Sequence, residues 1–352
     1  MRLALQARPG VHCETTTLGA MLRHAGADVS EPMLFGLGQG IDFQYWEPPA
    51  PGLTPMLTGR TGAGELARNA CAALGVELRE SQEADQAAAE QRAAELLRAG
   101  SVVGVTVDIY YLDYFTSKSH FAAHCIALYG LDDTTAYVVD TEQQGGAREL
   151  SVESLRLARG STEGFMPSPN RQLHLGPLPE RLTADPEPLL LDRAWGAMRS
   201  AARTVLDDRG PRFGIAGLRR AAAEIPGWRE ALASDVELVP ATGRFWRYAG
   251  TGGTNFRGLY LDFLREVRSR SGEVRLDPVI GAFEQLRQDW DEVIELLLGY
   301  GDAGNSNSNG AADGPRQRQQ RLDTVGARLA AIADAEQAAF GRLLDVTTDI
   351  AG

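Results

Sequence analysis

Hydrophobic positions along this chain follow two regimes. Up to about residue 170, short apolar runs alternate with helix-spaced patterns. From about Leu189 onward the apolar residues recur every three to four positions almost without interruption. In the first regime, residues 102–107 form a continuous apolar run that predicts a buried strand. Residues 123–129 and 136–139 predict two more strands, joined by the turn residues 130–135 into a hairpin. Leu18, Met21, Leu22 and Ala25 share one helix face, with Glu14 in the first turn and Gly26 as a stop, so a helix is expected to start at or next to Cys13. Further helices are expected over 30–36, 65–74, 83–99 and 152–159. In the second regime they are expected over 189–207, 214–224, 228–233, 256–268, 278–299 and 317–344. The sum is an α+β protein with a mixed N-terminal domain and a mostly helical C-terminal domain. The Pro-rich Met166-Pro-Ser-Pro169 places the boundary at 170, giving domains 1–170 and 171–352, with an Asn/Ser/Gly-rich flexible loop at about 301–314.

Composition narrows the function classes. A chain of 352 residues with 43% hydrophobic content can bury a sizeable core. A net charge of −12 with no basic stripe argues against nucleic-acid binding. Cys13, Cys71 and Cys125 are an odd, widely spaced set, which is no disulfide framework and favours a reducing compartment. No apolar run approaches the ~18 residues of a membrane span, so a cytoplasmic protein with no membrane partner is expected.

The chemistry-bearing residues converge on one arrangement. At a helix start, free N–H groups and the positive end of the helix dipole favour the thiolate of Cys13. Antiparallel pairing of the two hairpin strands lays His124 beside Asp140, so the carboxylate can hold the imidazole by its Nδ1–H. Cys13, His124 and Asp140 then have the residue types of nucleophile, base and orienting carboxylate. Such a triad forms an acyl-enzyme and passes the acyl group to an amine or to water. The Cys13 N–H is one candidate oxyanion donor and Gln6, upstream, a second. Cys71 and Cys125 are expected in the core.

The other histidines fit less well. His12 is expected to point away from the sulfur of Cys13, His24 to sit at a helix C-terminus, and His174 to lie in a solvated loop. His120, four residues before His124, is the rival base or a substrate-binding residue. Tyr110, Tyr111, Tyr114 and Phe115 line a substrate pocket or belong to the core. A zinc site on Cys13, His120 and His124 lacks CxxC or HExxH spacing, and no metal or cofactor is expected. Tyr248-Ala-Gly-Thr-Gly-Gly-Thr-Asn-Phe256 has the look of a dinucleotide loop but no preceding strand, and reads as a glycine-rich helix entry. Gly36, Gly38 and Gly40 allow close backbone approach.

His12-Cys13-Glu-Thr-Thr-Thr, Met33-Leu-Phe-Gly-Leu-Gly-Gln-Gly40, and Phe121-Ala-Ala-His124 leading to Tyr129-Gly-Leu-Asp-Asp133 and Val139-Asp140 resemble the butirosin biosynthesis protein H family. Gly250-Thr-Gly-Gly-Thr-Asn-Phe-Arg257 resembles part of that family's helical C-terminal domain. The resemblance implies a papain-like cysteine-peptidase-type N-terminal fold. It also implies an acyltransferase that takes an acyl group from a carrier-protein thioester and forms an amide with a small-molecule amine in natural-product assembly. The Gln6-to-Cys13 spacing is longer than in typical relatives with an oxyanion glutamine. An acidic carrier would need a local basic patch, for which Arg219, Arg220, Arg257 and Arg265 are the candidates. Two other functions use the same residues: a cysteine hydrolase with water as acceptor, and a non-catalytic binding protein in which Cys13 is inert. The last helix can pack on the bundle or pair with a second copy in a homodimer.

Overall fold

The computed structural model describes residues 1–48, 52–117, 119–233, 235–301 and 314–350. Most of the expected flexible loop at about 301–314 lies outside those residues. The elements run α1 (Cys13–His24), α2 (Glu31–Leu37), β1 (Ile41–Trp46), β2 (Met56–Arg60), α3 (Glu65–Leu74), β3 (Leu78–Gln82), α4 (Gln86–Arg98), β4 (Val103–Val107), β5 (His124–Leu131), β6 (Thr135–Val139), β7 (Ala147–Ser151), α5 (Val152–Gly160), β8 (Arg171–Leu175) and α6 (Glu180–Ala184). Helices follow: α7 (Pro186–Leu206), α8 (Gly214–Glu224), α9 (Trp228–Ala231), α10 (Leu238–Tyr248), α11 (Arg257–Ser271), α12 (Asp277–Leu298) and α13 (Pro315–Ile350). Among the described residues no helix is long and apolar enough to cross a membrane.

The chain divides into two compact units that interleave in sequence. One comprises Met1–Gly38 and Gly62–Arg193, the other Gln39–Thr61 and Ala194–Gly352. This differs from a cut at 170 in two ways. The Pro-rich stretch is a loop inside the first unit, because β8 follows it and pairs with both β3 and β4. His174, expected in a solvated loop, is therefore a buried strand residue. The hairpin β1–β2, meanwhile, belongs with the helices of the second unit.

The first unit is a six-stranded, wholly antiparallel sheet in the order β3-β8-β4-β5-β6-β7. Both faces are covered, so its central strands are apolar on both sides. In β5, Ile126 and Leu128 pack with Val103, Val105 and Val107 against Ala93, Leu97, Leu155 and Ala158 of α4 and α5. The alternate residues Cys125, Ala127 and Tyr129 face Ala20 and Met21 of α1. Gly104 explains how close α1 can come: a Cβ there would lie 3.1 Å from Thr17 and 3.3 Å from the Met21 sulfur. Burying these side chains on both faces contributes roughly 1.5–3 kcal/mol for each large aliphatic and fixes α1 over the start of β5.

In the second unit, β1 alternates apolar and polar residues in sequence but is buried on both faces. Ile41, Phe43 and Tyr45 are at most 3% exposed, and Phe43 lies 6.3 Å from the Trp290 ring of α12. The Gly-Thr-rich 250–256 stretch binds the hairpin. Asn255 and Phe256 take left-handed φ of 47° and 73°, and the Asn255 carbonyl oxygen Oδ1 accepts the Gly59 N–H at 2.8 Å. The Trp246 indole N–H donates to the Leu57 carbonyl at 2.8 Å.

Arg257, proposed from sequence for a docking patch, is 1% exposed and cannot dock anything. It grips Glu336 in a two-bond fork of 2.7 and 2.8 Å and donates to the Asp42, Gly59 and Asn255 carbonyls. Arg219, Arg220 and Arg265 remain nearer the surface, each already paired with carboxylates.

Candidate active site

Cys13 opens α1, and the local sequence dictates how. His12 is the N-cap, in extended conformation, with Nδ1 accepting from the Thr15 N–H at 3.5 Å. Its ring is buried edge-on to Phe35 at 6.2 Å. The first hydrogen bond within the helix runs from Thr16 N–H to the His12 carbonyl, leaving the Cys13 N–H among the first-turn donors that have no acceptor inside the helix.

Glu31, at the start of α2, anchors the preceding loop. Its carboxylate accepts the Val11 and His12 N–H groups, each at 2.9 Å, and the Thr15 hydroxyl at 2.7 Å. A Cβ on Gly10 would sit 2.4 Å from that carboxylate, so only glycine leaves room. Glu14 is buried as well, and its Oε1 accepts the Ala67 N–H at 2.9 Å, joining α1 to the first turn of α3.

Of the three cysteines, only Cys13 is partly exposed. Burial pushes the Cys71 and Cys125 thiols up to about 12, so both stay protonated and unreactive at neutral pH.

His124 begins β5 and Asp140 follows β6. The expected pairing forms through the other nitrogen: Nε2, not Nδ1, lies 3.0 and 2.9 Å from the two Asp140 oxygens. The Cys13 side chain acts electrostatically on the same imidazole. With Nε2 given to the carboxylate, Nδ1 is the nitrogen left for the thiol.

Burial alone would lower the His124 pKa, but the Asp140 charge and hydrogen bond, followed by Cys13, push it up to about 10. Burial likewise works to raise Asp140. The adjacent imidazolium, the Thr141 N–H at 2.6 Å and the Tyr114 hydroxyl at 2.9 Å hold it below the usual carboxylate range. The Tyr114 hydroxyl is itself pushed far up by burial and the Asp140 charge, so it remains a donor. The Glu142 N–H donates to the Gly10 carbonyl at 2.8 Å, tying the loop after Asp140 to the loop before Cys13.

The remaining expected site residues separate. Gln6 is exposed. It lies in an N-terminal segment whose Leu3, Leu5 and Ala7 pack against the core while Gln6 is left at the surface. Phe115 packs edge-on against the His124 ring at 5.3 Å. Tyr110 and Tyr111 pack on His120 instead, at 4.0 and 5.8 Å. His120 pairs with Asp108 and not with Cys13. His24 is held by the Gly100 and Ala4 carbonyls.

The roles of Glu31, Glu14 and Tyr114 escape a sequence scan. Glu31 and Glu14 have the local appearance of first-turn helix residues, and only tertiary folding gives them second partners. Gly10 next to Val11-His12-Cys13 was the one local hint of a loop under tight contact.

The α+β unit thus carries a helix-start cysteine and an imidazole backed by a buried aspartate as its candidate site residues. Residues 153–343 match a domain of unknown function (DUF4872), and the chain belongs to that domain's family; residues 12–141 match the model of the N-terminal domain of butirosin biosynthesis protein H. The latter match begins at His12 and ends one residue past Asp140, so it encloses all three candidate residues. No curated protein matches the chain.

Proposed function

We propose that this protein is a cysteine-dependent acyltransferase of natural-product biosynthesis, working through an acyl-Cys13 intermediate on a papain-like scaffold. The observation that carries the proposal is that His124 gives Nε2 to Asp140, which leaves Nδ1 as the nitrogen for the Cys13 thiol, a group that acts on the same ring. The proton of the pair rests on His124, and Asp140 stabilises that imidazolium beside the Cys13 thiolate. The thiolate attacks the carbonyl carbon of an acyl thioester, and the Cys13 N–H donates to the oxyanion. As the carbon–sulfur bond to the donor breaks, the departing thiolate takes the proton from His124. An amine then attacks the acyl-enzyme and gives its proton to His124. The carbon–sulfur bond to Cys13 breaks as the amide forms.

The match to butirosin biosynthesis protein H supports a biosynthetic role; a carrier-bound thioester as donor and a small-molecule amine as acceptor are part of the proposal. An acidic carrier would compete with Asp334, Asp262 and Glu284 for Arg219 and Arg265, so charge reversal at those two arginines should weaken carrier binding.

The test is intact-protein mass spectrometry after incubation with simple acyl thioesters. The wild-type chain should gain the acyl mass and Cys13→Ala should not. Discharge by added amines, faster than by water, identifies transfer, whereas discharge by water alone identifies a hydrolase. The absence of any adduct, with a Cys13 that resists iodoacetamide, would sink the proposal.

A further inference from the structure

The first unit holds a second imidazole–carboxylate pair, and it sits at the root of the loop that covers the first. β4 and β5 are antiparallel neighbours paired at Val107 and His124, so the two ends of the connection between them must come together. Asp108 closes it. The side chain is fully buried. Oδ1 accepts the Tyr110 N–H at 3.1 Å and the Phe121 N–H at 3.0 Å, one from each end of the loop. Oδ2 accepts the Ser161 hydroxyl at 2.8 Å and lies 2.7 Å from His120 Nδ1. A backbone bond from Ile109 N–H to the Phe121 carbonyl, 3.2 Å, completes the closure.

The other nitrogen of His120, Nε2, is 3.3 Å from the Glu163 carboxylate, and the ring stacks on Tyr110. Both nitrogens therefore face carboxylates, which leaves neither for a thiol. Burial works to raise the Asp108 carboxyl, yet His120, Ser161 and the two N–H groups hold it below its ordinary value. Between the two ends of this loop lie Tyr114, which donates to Asp140, and Phe115, which packs on His124.

We propose that Asp108, His120 and Ser161 form a clasp that positions Tyr114 and Phe115 against the His124–Asp140 pair, which makes His120 a positioning residue and not a catalytic one. This rests on the acyltransferase proposal, because its readout is acylation of Cys13.

The experiment compares initial acylation rates of the full chain by an acyl thioester, followed by intact mass, for wild type, Cys13→Ala, His120→Ala, His120→Asn, Tyr114→Phe and the double variant His120→Ala/Tyr114→Phe. His120→Ala should acylate about tenfold more slowly, the scale of a small misplacement of catalytic groups. His120→Asn, whose amide N–H can still reach Asp108, should recover most of the rate and keep the wild-type melting temperature. The double variant should be no slower than the slower single variant, because both changes break one line of contact. Three outcomes overturn the clasp: His120→Ala at the wild-type rate, His120→Asn as slow as His120→Ala, or rate losses in the double variant that multiply. A wild-type chain that acylates no faster than Cys13→Ala overturns the nucleophile proposal and the clasp with it, and that comparison separates the two failures.

Discussion

His124–Asp140 in the first unit and Arg257–Glu336 in the second are both buried, and the two pairs are built to opposite ends. In the second unit, Arg257 and Glu336 are each at most 1% exposed. All three guanidinium nitrogens have acceptors, the guanidinium lies 4.8 Å from the Trp290 ring centroid, and the Trp290 N–H donates to Glu336 at 2.9 Å. Nothing in that network is left to react, and a guanidinium is not a group that trades protons at working pH. In the first unit, Asp140 takes only one nitrogen of His124, and a partly exposed thiol, Cys13, acts on the same ring. Burial marks neither pair as functional. What separates them is whether a titratable atom remains that can pass a proton to something solvent can reach.

The sharpest way to break the comparison is at the first pair. His124→Ala should slow Cys13 acylation by about 10²–10⁴-fold, the usual worth of a positioned base, with Cys71→Ala and Cys125→Ala as near-neutral controls in the same mass assay. At the second pair, Arg257→Ala strands a buried carboxylate and should destabilise the protein by about 3–5 kcal/mol in denaturant unfolding. A loss below about 1 kcal/mol would mean the network relaxes as a surface pair does.

Titration separates the pairs next. The His124 pKa is raised from 6.5 to about 10, so its contribution to stability is complete below pH 6.5 and fades as pH rises toward about 10. Asp140 is depressed, so its contribution is present above the ordinary carboxylate range and is lost as pH falls through the folded value. Cys13→Ala removes one of the groups that raise His124, and NMR of the imidazole should find a lower pKa in that variant. An unchanged value would mean that thiol and imidazole do not meet. The smallest effect is expected from Gly10→Ala, which pushes on the Glu31 carboxylate and should slow acylation by a few-fold, on the scale of a lost loop hydrogen bond.

Much of this was legible in the sequence, because local patterns and tertiary environment agree there. The α1 start at Cys13, the hairpin carrying His124 toward Asp140, and the long helices after 186 all announce themselves by period and by caps. The misses have physical causes. β1 alternates Ile41, Phe43 and Tyr45 with Asp42 and Gln44, a period-two signal masked by the glycines before it. α10 was hidden by Pro240, which its first turn tolerates because the missing N–H has no partner there anyway. No periodicity distinguishes which imidazole nitrogen meets the carboxylate, or that His120 is held between Asp108 and Glu163. Those facts belong to three-dimensional placement alone.

The hairpin inserted at residues 39–61 bears on how such a gene can be cut and recombined. The polypeptide enters the second unit, returns, and enters it again, so no single breakpoint separates the two. A fragment ending at 170 or 193 carries a strand pair whose Leu57 carbonyl, Gly59 N–H and Asp42 carbonyl have lost Trp246, Asn255 and Arg257. It would display Ile41, Phe43 and Tyr45 to water as a sticky edge. Inheritance of the cysteine-bearing segment thus binds it to its helical companion: a lineage that swapped one for a foreign version would have to exchange the embedded hairpin in the same event.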